Sequence, residues 1–136
     1  MMDLKIELDG GRTAYAPAEK ISGQVEWDTD KQPQRIELRL FWFTRGKGTE
    51  DAGVVSTMRF DQPLARDTRP FTFPLPEAPY SFSGKLISLV WALELIAYPS
   101  KDVARVEFEM GPGGREIKLE SVQDRGSAQT WISITR

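Results

Sequence analysis

Apolar and polar residues alternate with a period of two along most of this chain, the pattern of strands that bury one face and wet the other. Leu4, Ile6 and Leu8 alternate with Lys5 and Glu7, and Asp9-Gly10-Gly11 supplies a turn. Ile21, Gly23, Val25 and Trp27 continue the period against Ser22, Gln24 and Glu26, until Asp28 to Pro33 breaks it. Ile36, Leu38, Leu40 and Trp42 form one face of a third strand, with Glu37, Arg39, Phe41 and Phe43 on the other. Arg45-Gly46-Lys47-Gly48 reads as a hairpin turn. The return strand is expected over Val54 to Phe60, with Val54, Ser56, Met58 and Phe60 sharing a face, and Asp61 to Pro70 reads as a loop.

Phe71, Phe73 and Leu75 restart the alternation, and Pro74, which has no N–H for a ladder, puts this strand at an edge or a bulge. By period alone, the apolar run Leu86 to Tyr98 fits either a buried helix or a long buried strand. A strand is the better fit, because Ile87, Leu89, Trp91, Leu93 and Leu95 make one wholly apolar face while Ser88 and Glu94 occupy the other. Pro99 to Asp102 turns the chain into Ala104, Val106, Phe108 and Met110, which alternate with Arg105, Glu107 and Glu109. After Gly111 to Gly114, Ile117 and Leu119 mark a short strand. A last strand over Thr130 to Thr135 follows the polar stretch Ser121 to Gln129. The pattern predicts an all-β, immunoglobulin-like β-sandwich of about nine mostly antiparallel strands. The 136 residues suit a single domain over 1–136.

Composition narrows the chemistry. Hydrophobic residues make up 40% and charged residues 28%, enough apolar content for the chain to fold on its own. A net charge of −2 offers no global positive field, so nucleic acid is not an expected partner. The sequence contains no cysteine and no histidine, which excludes disulfides, thiolate nucleophiles, imidazole bases and zinc sites built on those residues. Residues 1–20 lack a secretory signal pattern and the longest apolar run falls short of a bilayer span, so a soluble, cytoplasmic protein with no transmembrane segment and no cofactor is expected.

Two segments carry more than a strand pattern. Tyr15-Ala16-Pro17-Ala18-Glu19-Lys20-Ile21-Ser22-Gly23-Gln24-Val25 resembles the arrestin-family pattern Tyr-x-Pro-Gly-Glu-x-Ile-x-Gly-x-Val. The stretch Phe71 to Gly84, Phe-Thr-Phe-Pro-Leu-Pro-Glu-Ala-Pro-Tyr-Ser-Phe-Ser-Gly, followed by Ile87 to Leu95, is similar to the family's succession of Phe-x-Phe-x-Leu-Pro, Pro-x-Ser-x-x-Gly and a long strand. In order and spacing, these segments resemble the amino-terminal domain of the arrestin-domain-containing proteins over about residues 3 to 119, leaving 120–136 as linker and terminal strand. The resemblance implies an arrestin-like sandwich and a protein-binding scaffold or adaptor. Ala18 stands where the family usually has glycine, and neither a second sandwich domain nor a Pro-Pro-x-Tyr motif is found.

Asp28-Thr29-Asp30 lacks the further oxygen ligands that a calcium loop needs and fits a solvated turn. Arg45 and Lys47 lie in a Gly-rich loop that could cradle a phosphate on successive N–H groups, although a mobile hairpin tip fits better without a P-loop ending. Ser81 and Ser83 have no histidine or suitably spaced lysine to activate them. Glu94 is expected to be exposed or salt-bridged. Trp27, Trp42 and Trp91 lie on apolar strand faces and read as core, whereas Trp131, with Ile132 and Ile134, follows a polar linker where it would mark a contact surface. The expected function is non-catalytic protein binding through strand edges and apical loops, with a protein partner or a homodimer. Trp131, Ile132, Ile134, Arg45 and Lys47 are the candidate contacts. The alternative is a carbohydrate- or small-ligand-binding sandwich.

Overall fold

The computed structural model describes residues 3–47 and 50–118. The strands are β1 (Asp3–Leu8), β2 (Ala14–Tyr15), β3 (Lys20–Asp28), β4 (Arg35–Gly46), β5 (Ala52–Phe60), β6 (Arg66–Pro74), β7 (Phe82–Ser83), β8 (Ile87–Tyr98), β9 (Asp102–Met110) and β10 (Ile117–Lys118). A small sheet runs β1-β3-β6, and a large one runs β10-β7-β8-β4-β5 with β9 also on β8 and β2 on β9. All pairings are antiparallel except β2 with β9 and β10 with β7. The sheets close over one core, in which Ile21, Val25 and Trp27 of the small sheet meet Leu38, Leu40, Trp91 and Leu93 of the large one. This is the all-β, arrestin-like sandwich that the alternation and the two motifs predict. Among the described residues, no helix is long and apolar enough to cross a membrane.

The long run is a strand, and its face Leu89, Trp91, Leu93 and Leu95 is buried as expected. The opposite face is drier than its polar residues suggest, since Ala92 and Ile96 are also buried. Trp27 and Trp91 are fully buried and use their indole N–H groups inside the fold, donating to Leu64 O and Pro79 O at 2.7 Å each. Trp42 is partly buried against the same core.

Three expectations change. The loop ends at Ala65, because β6 starts at Arg66 and pairs with β3 along its length. Its first half hides in the sequence because Asp67 and Arg69 fill the half-buried positions, with Arg69 bonded to Asp67 and its guanidinium 5.9 Å from the Trp27 ring centroid. As expected from Pro74, β6 is an edge. Val54 does not share a face with Met58: the register moves from Leu40↔Ser56 to Phe41↔Val54, so Val55 is an extra, bulged residue and Val54 turns outward. Phe82–Ser83, inside the Pro-rich crossover, forms the short strand β7. The expected strand Thr130–Thr135 and Leu119 lie outside the described residues.

Glycine is required at several close approaches, Gly23 and Gly53 among them. A Cβ on Gly23 would sit 2.1 Å from Glu7 O, so β1 lies against β3 only because that side chain is missing. A Cβ on Gly53 would meet the Trp42 ring at 2.6 Å.

Candidate functional site

Strand alternation places Arg35, Glu37, Arg39, Phe41, Phe43 and Arg45 of β4 on the outer face of the large sheet, because their neighbours Ile36, Leu38 and Leu40 are buried in the core. Register sets Tyr98, Ile96, Glu94, Ala92, Val90 and Ser88 of β8 opposite them. Glu107 and Arg105 of β9 then face Ala92 and Glu94. On the far side, Arg59 of β5 faces Glu37.

The side chains form a ladder of two clusters along this face. Phe41 and Phe43 stack with centroids 5.8 Å apart, and the Arg105 guanidinium lies 5.3 and 5.1 Å from those centroids while bonding to Glu94 at 2.9 Å. Arg45 covers Phe43 at 5.3 Å and donates to Glu107 at 2.7 Å. At the other end, Arg35 lies 4.0 Å over the Tyr98 ring, and Arg39 donates to Tyr98 Oη at 3.0 Å. The Glu37 carboxylate is buried among three guanidiniums, with Arg35 Nε at 2.9 Å, Arg39 Nη2 at 3.2 Å and Arg59 Nε at 3.1 Å. Arg35 Nε makes no aligned hydrogen bond, so that contact is electrostatic. Five arginines thus meet Glu37, Glu94 and Glu107 on this face, and with Glu109 also turned outward on β9 an excess of one positive charge remains, on a chain whose net charge is −2.

Arg45 is therefore a strand residue engaged in the ladder and not part of a free hairpin tip, because β4 runs on to Gly46. Lys47 is exposed, and its backbone N–H donates to Leu86 O at 2.9 Å, which removes it from any phosphate cradle. Trp131, Ile132 and Ile134 lie outside the described residues. Glu94 is salt-bridged, as expected. Asp28 pairs with Arg66 at 2.8 Å, and Thr29 between the two aspartates is buried, its hydroxyl 2.7 Å from Lys31 O and 2.9 Å from Ala65 O. Ser81 is buried and accepts the Met110 N–H, while Ser83 donates to Glu116 at 2.9 Å. Ser81, Ser83, Arg45 and Glu107 line a cavity of about 300 Å³ at the β7 end of the ladder. A second cavity, about 360 Å³, lies between Thr29–Pro33 and Ala97–Ser100.

Sequence reasoning picked Arg45 but missed Arg35, Arg39, Arg59 and Arg105. The available signal was the pair Phe41 and Phe43 on the wet side of a strand: two aromatics there need a cover, and the neighbouring strands supply it with arginine.

Outside the ladder, the Tyr15–Glu19 motif forms a tight turn. The Glu19 N–H donates to Ala16 O, and the Glu19 carboxylate accepts from Ala16 N–H at 2.9 Å and from Arg12. The Arg12 hydrogen bond, helped by the Ala16 N–H, pulls the Glu19 carboxyl from its ordinary 4.5 to about 2. Burial raises the Tyr15 phenol above its ordinary value.

No family model matches the sequence, and no curated protein matches it. Among solved structures, the chain is similar to Spo0M, a sporulation control protein from Bacillus subtilis, with a TM-score of 0.58 and 21% identity. The match covers 81% of this chain and 49% of Spo0M, so the chain spans about half the length of that protein. Lower scores relate it to a beta-glucosidase from Listeria innocua (TM-score 0.47, 15% identity, 82% of this chain and 16% of that one). The Pseudomonas fluorescens alkylpurine DNA glycosylase AlkC follows (TM-score 0.42, 10% identity, 81% and 30%). At these identities the likeness to Spo0M establishes fold, and the fold it supports is arrestin-like.

Proposed function

We propose that this chain is a non-catalytic protein-binding module, a scaffold or adaptor of arrestin-like fold, whose main contact surface is the outer face of the large sheet. The observation that carries this reading is the arginine–aromatic ladder. Arginine and aromatic side chains dominate binding energy at protein interfaces, and here they are held in fixed positions by stacking and ion pairs, so little side-chain entropy remains to be lost on binding. The excess positive charge favours a partner with an acidic surface. The apical loops at the two cavities border this face and extend it. A control role of the kind named for Spo0M suits such a module.

The opposing reading, a sandwich that stacks sugars on tryptophan, finds little support among the described residues, since Trp27 and Trp91 are buried with their N–H groups bonded inside. The test is comparative capture by proximity labelling. Arg45→Glu with Arg105→Glu is expected to lose the partners that the parent chain captures, whereas Lys5→Ala with Glu7→Ala, on the small sheet, keeps them. Identical partner sets for both variants, or a glycan array hit with no protein partner, would overturn the proposal.

A further inference from the structure

β5 is the outermost strand of the large sheet; among the described residues it pairs only with β4, and its outward backbone edge runs nine residues from Ala52 to Phe60. Edges of this kind recruit further strands unless something blunts them. The other long edges are blunted. β6 carries Pro70 and Pro74, which have no N–H to offer; β1 exposes Asp3, Lys5 and Glu7; β9 is capped by β2 at Glu109 and Met110 and presents Arg105 and Glu107. β5 exposes two consecutive valines, Val54 at 60% and Val55 at 41%, where β9 exposes one, Val103 at 51%.

The bulge decides what fits that edge. In a regular strand, two residues share a face when their numbers differ by an even count. With Val55 as the extra residue, Ala52, Val54, Thr57 and Arg59 point outward while Gly53, Ser56, Met58 and Phe60 point inward. An antiparallel copy of β5 then matches itself face to face about an axis between Val55 and Ser56. Val54 lies opposite Thr57, Gly53 opposite Met58, and Ala52 opposite Arg59. Glu50, exposed just before the strand, comes one diagonal step from Arg59 of the other copy, within reach of two long side chains of opposite charge. The small Gly53 position leaves room where Met58 arrives.

We infer that β5 is a self-association edge: two copies of this chain pair their β5 strands antiparallel about a two-fold axis, joining their large sheets into one. A two-fold pairing uses the same patch on both copies and closes on itself, which suits an edge that matches only its own reverse. The inference uses the sheet edge and does not rest on the binding face proposed above.

The chain has no cysteine, so introduced thiols report the register cleanly. Sedimentation velocity on the full chain over a wide concentration range is expected to show a dimer, and Val55→Lys, at an exposed site, to weaken it about tenfold or more with the melting temperature unchanged. Mixing Val54→Cys with Thr57→Cys under mild oxidation is expected to give a cross-linked pair, with much less from either variant alone; this readout does not depend on how Val55→Lys folds. A chain that stays monomeric throughout overturns the inference, as does a dimer indifferent to Val55→Lys that fails to cross-link in the mixture. A dimer lost on deletion of residues 129–136 but kept by Val55→Lys also overturns it, and assigns the interface to the terminal segment.

Discussion

Ala18 adopts φ +66° at the third position of the turn Ala16-Pro17-Ala18-Glu19, closed by the Glu19 N–H to Ala16 O bond. Proline second and a left-handed third residue define a type II turn, where glycine carries no penalty and alanine does. A left-handed residue with a Cβ costs roughly 1–2 kcal/mol, and glycine returns about 0.4–1 of that through the freer unfolded chain. Ala18→Gly should therefore raise stability by about 0.5–1 kcal/mol, read as a higher urea midpoint at unchanged slope. An unchanged or lower midpoint would mean that the turn is not strained. At Trp91, truncation to alanine should cost roughly 3–5 kcal/mol, because the ring is fully buried at the centre of the β8 face. Trp91→Phe fills most of the volume but leaves Pro79 O without its donor, and should cost about 1–3 kcal/mol. A melting temperature barely moved by Trp91→Ala would contradict this packing. Glu19 adds a pH dependence. Its folded pKa is depressed to about 2, so its contribution is fully present above about pH 4.5 and is lost as pH falls toward 2. Glu19→Gln should be slightly less stable than the parent at neutral pH, and the two acid-unfolding curves should converge toward pH 2; because the pair is largely exposed, added salt should narrow the gap.

At the scale of elements, period-two alternation located the longer strands whose inward face is apolar, and it settled Leu86 to Tyr98 as a strand by its two faces. It failed where tertiary context overrides the pattern. The first half of β6 reads as loop because its half-buried positions hold Asp67 and Arg69, which pair with each other and cover Trp27 from outside the core. The bulge in β5 arises from register against β4, which no local pattern records, and it moved Val54 to the opposite face. β2 and β7 are two residues each, too short for a period to show, and β2 exists only through a partner distant in sequence. Gly23 brings the β1 backbone at Glu7 into close approach, which the alternation alone does not record. Gly23→Ala should push β1 off β3 and open the small sheet from that edge, seen as faster amide exchange in Asp3–Leu8 with β4 and β8 still protected. Uniform exchange across the molecule would indicate that the two sheets do not open separately.

For the whole molecule, one outer face concentrates guanidiniums on a chain of net negative charge, and Glu37 is the residue that allows this. Three arginines converge on its buried carboxylate, so each positive group is neutralised in part at the sheet. The candidate site was only partly legible in the sequence for this reason: Arg45 stands out beside glycines, whereas Arg35, Arg39, Arg59 and Arg105 become one surface only when four strands are laid in register. Replacing Glu37 by Gln keeps the shape and removes the charge. The arginines then repel across a half-dry face, and the loss of charged hydrogen bonding should cost about 1.5–3 kcal/mol of stability. Raised ionic strength should recover part of that loss by screening the exposed guanidiniums, although it screens the parent's surface ion pairs as well. Binding should move the other way. With its internal anion gone, the face offers a larger positive excess, so an acidic partner should associate faster with Glu37→Gln than with the parent at low salt, and the advantage should vanish at high salt. Stopped-flow association with the captured partner at two ionic strengths checks this, and equal rates at low salt would place the contact elsewhere on the molecule.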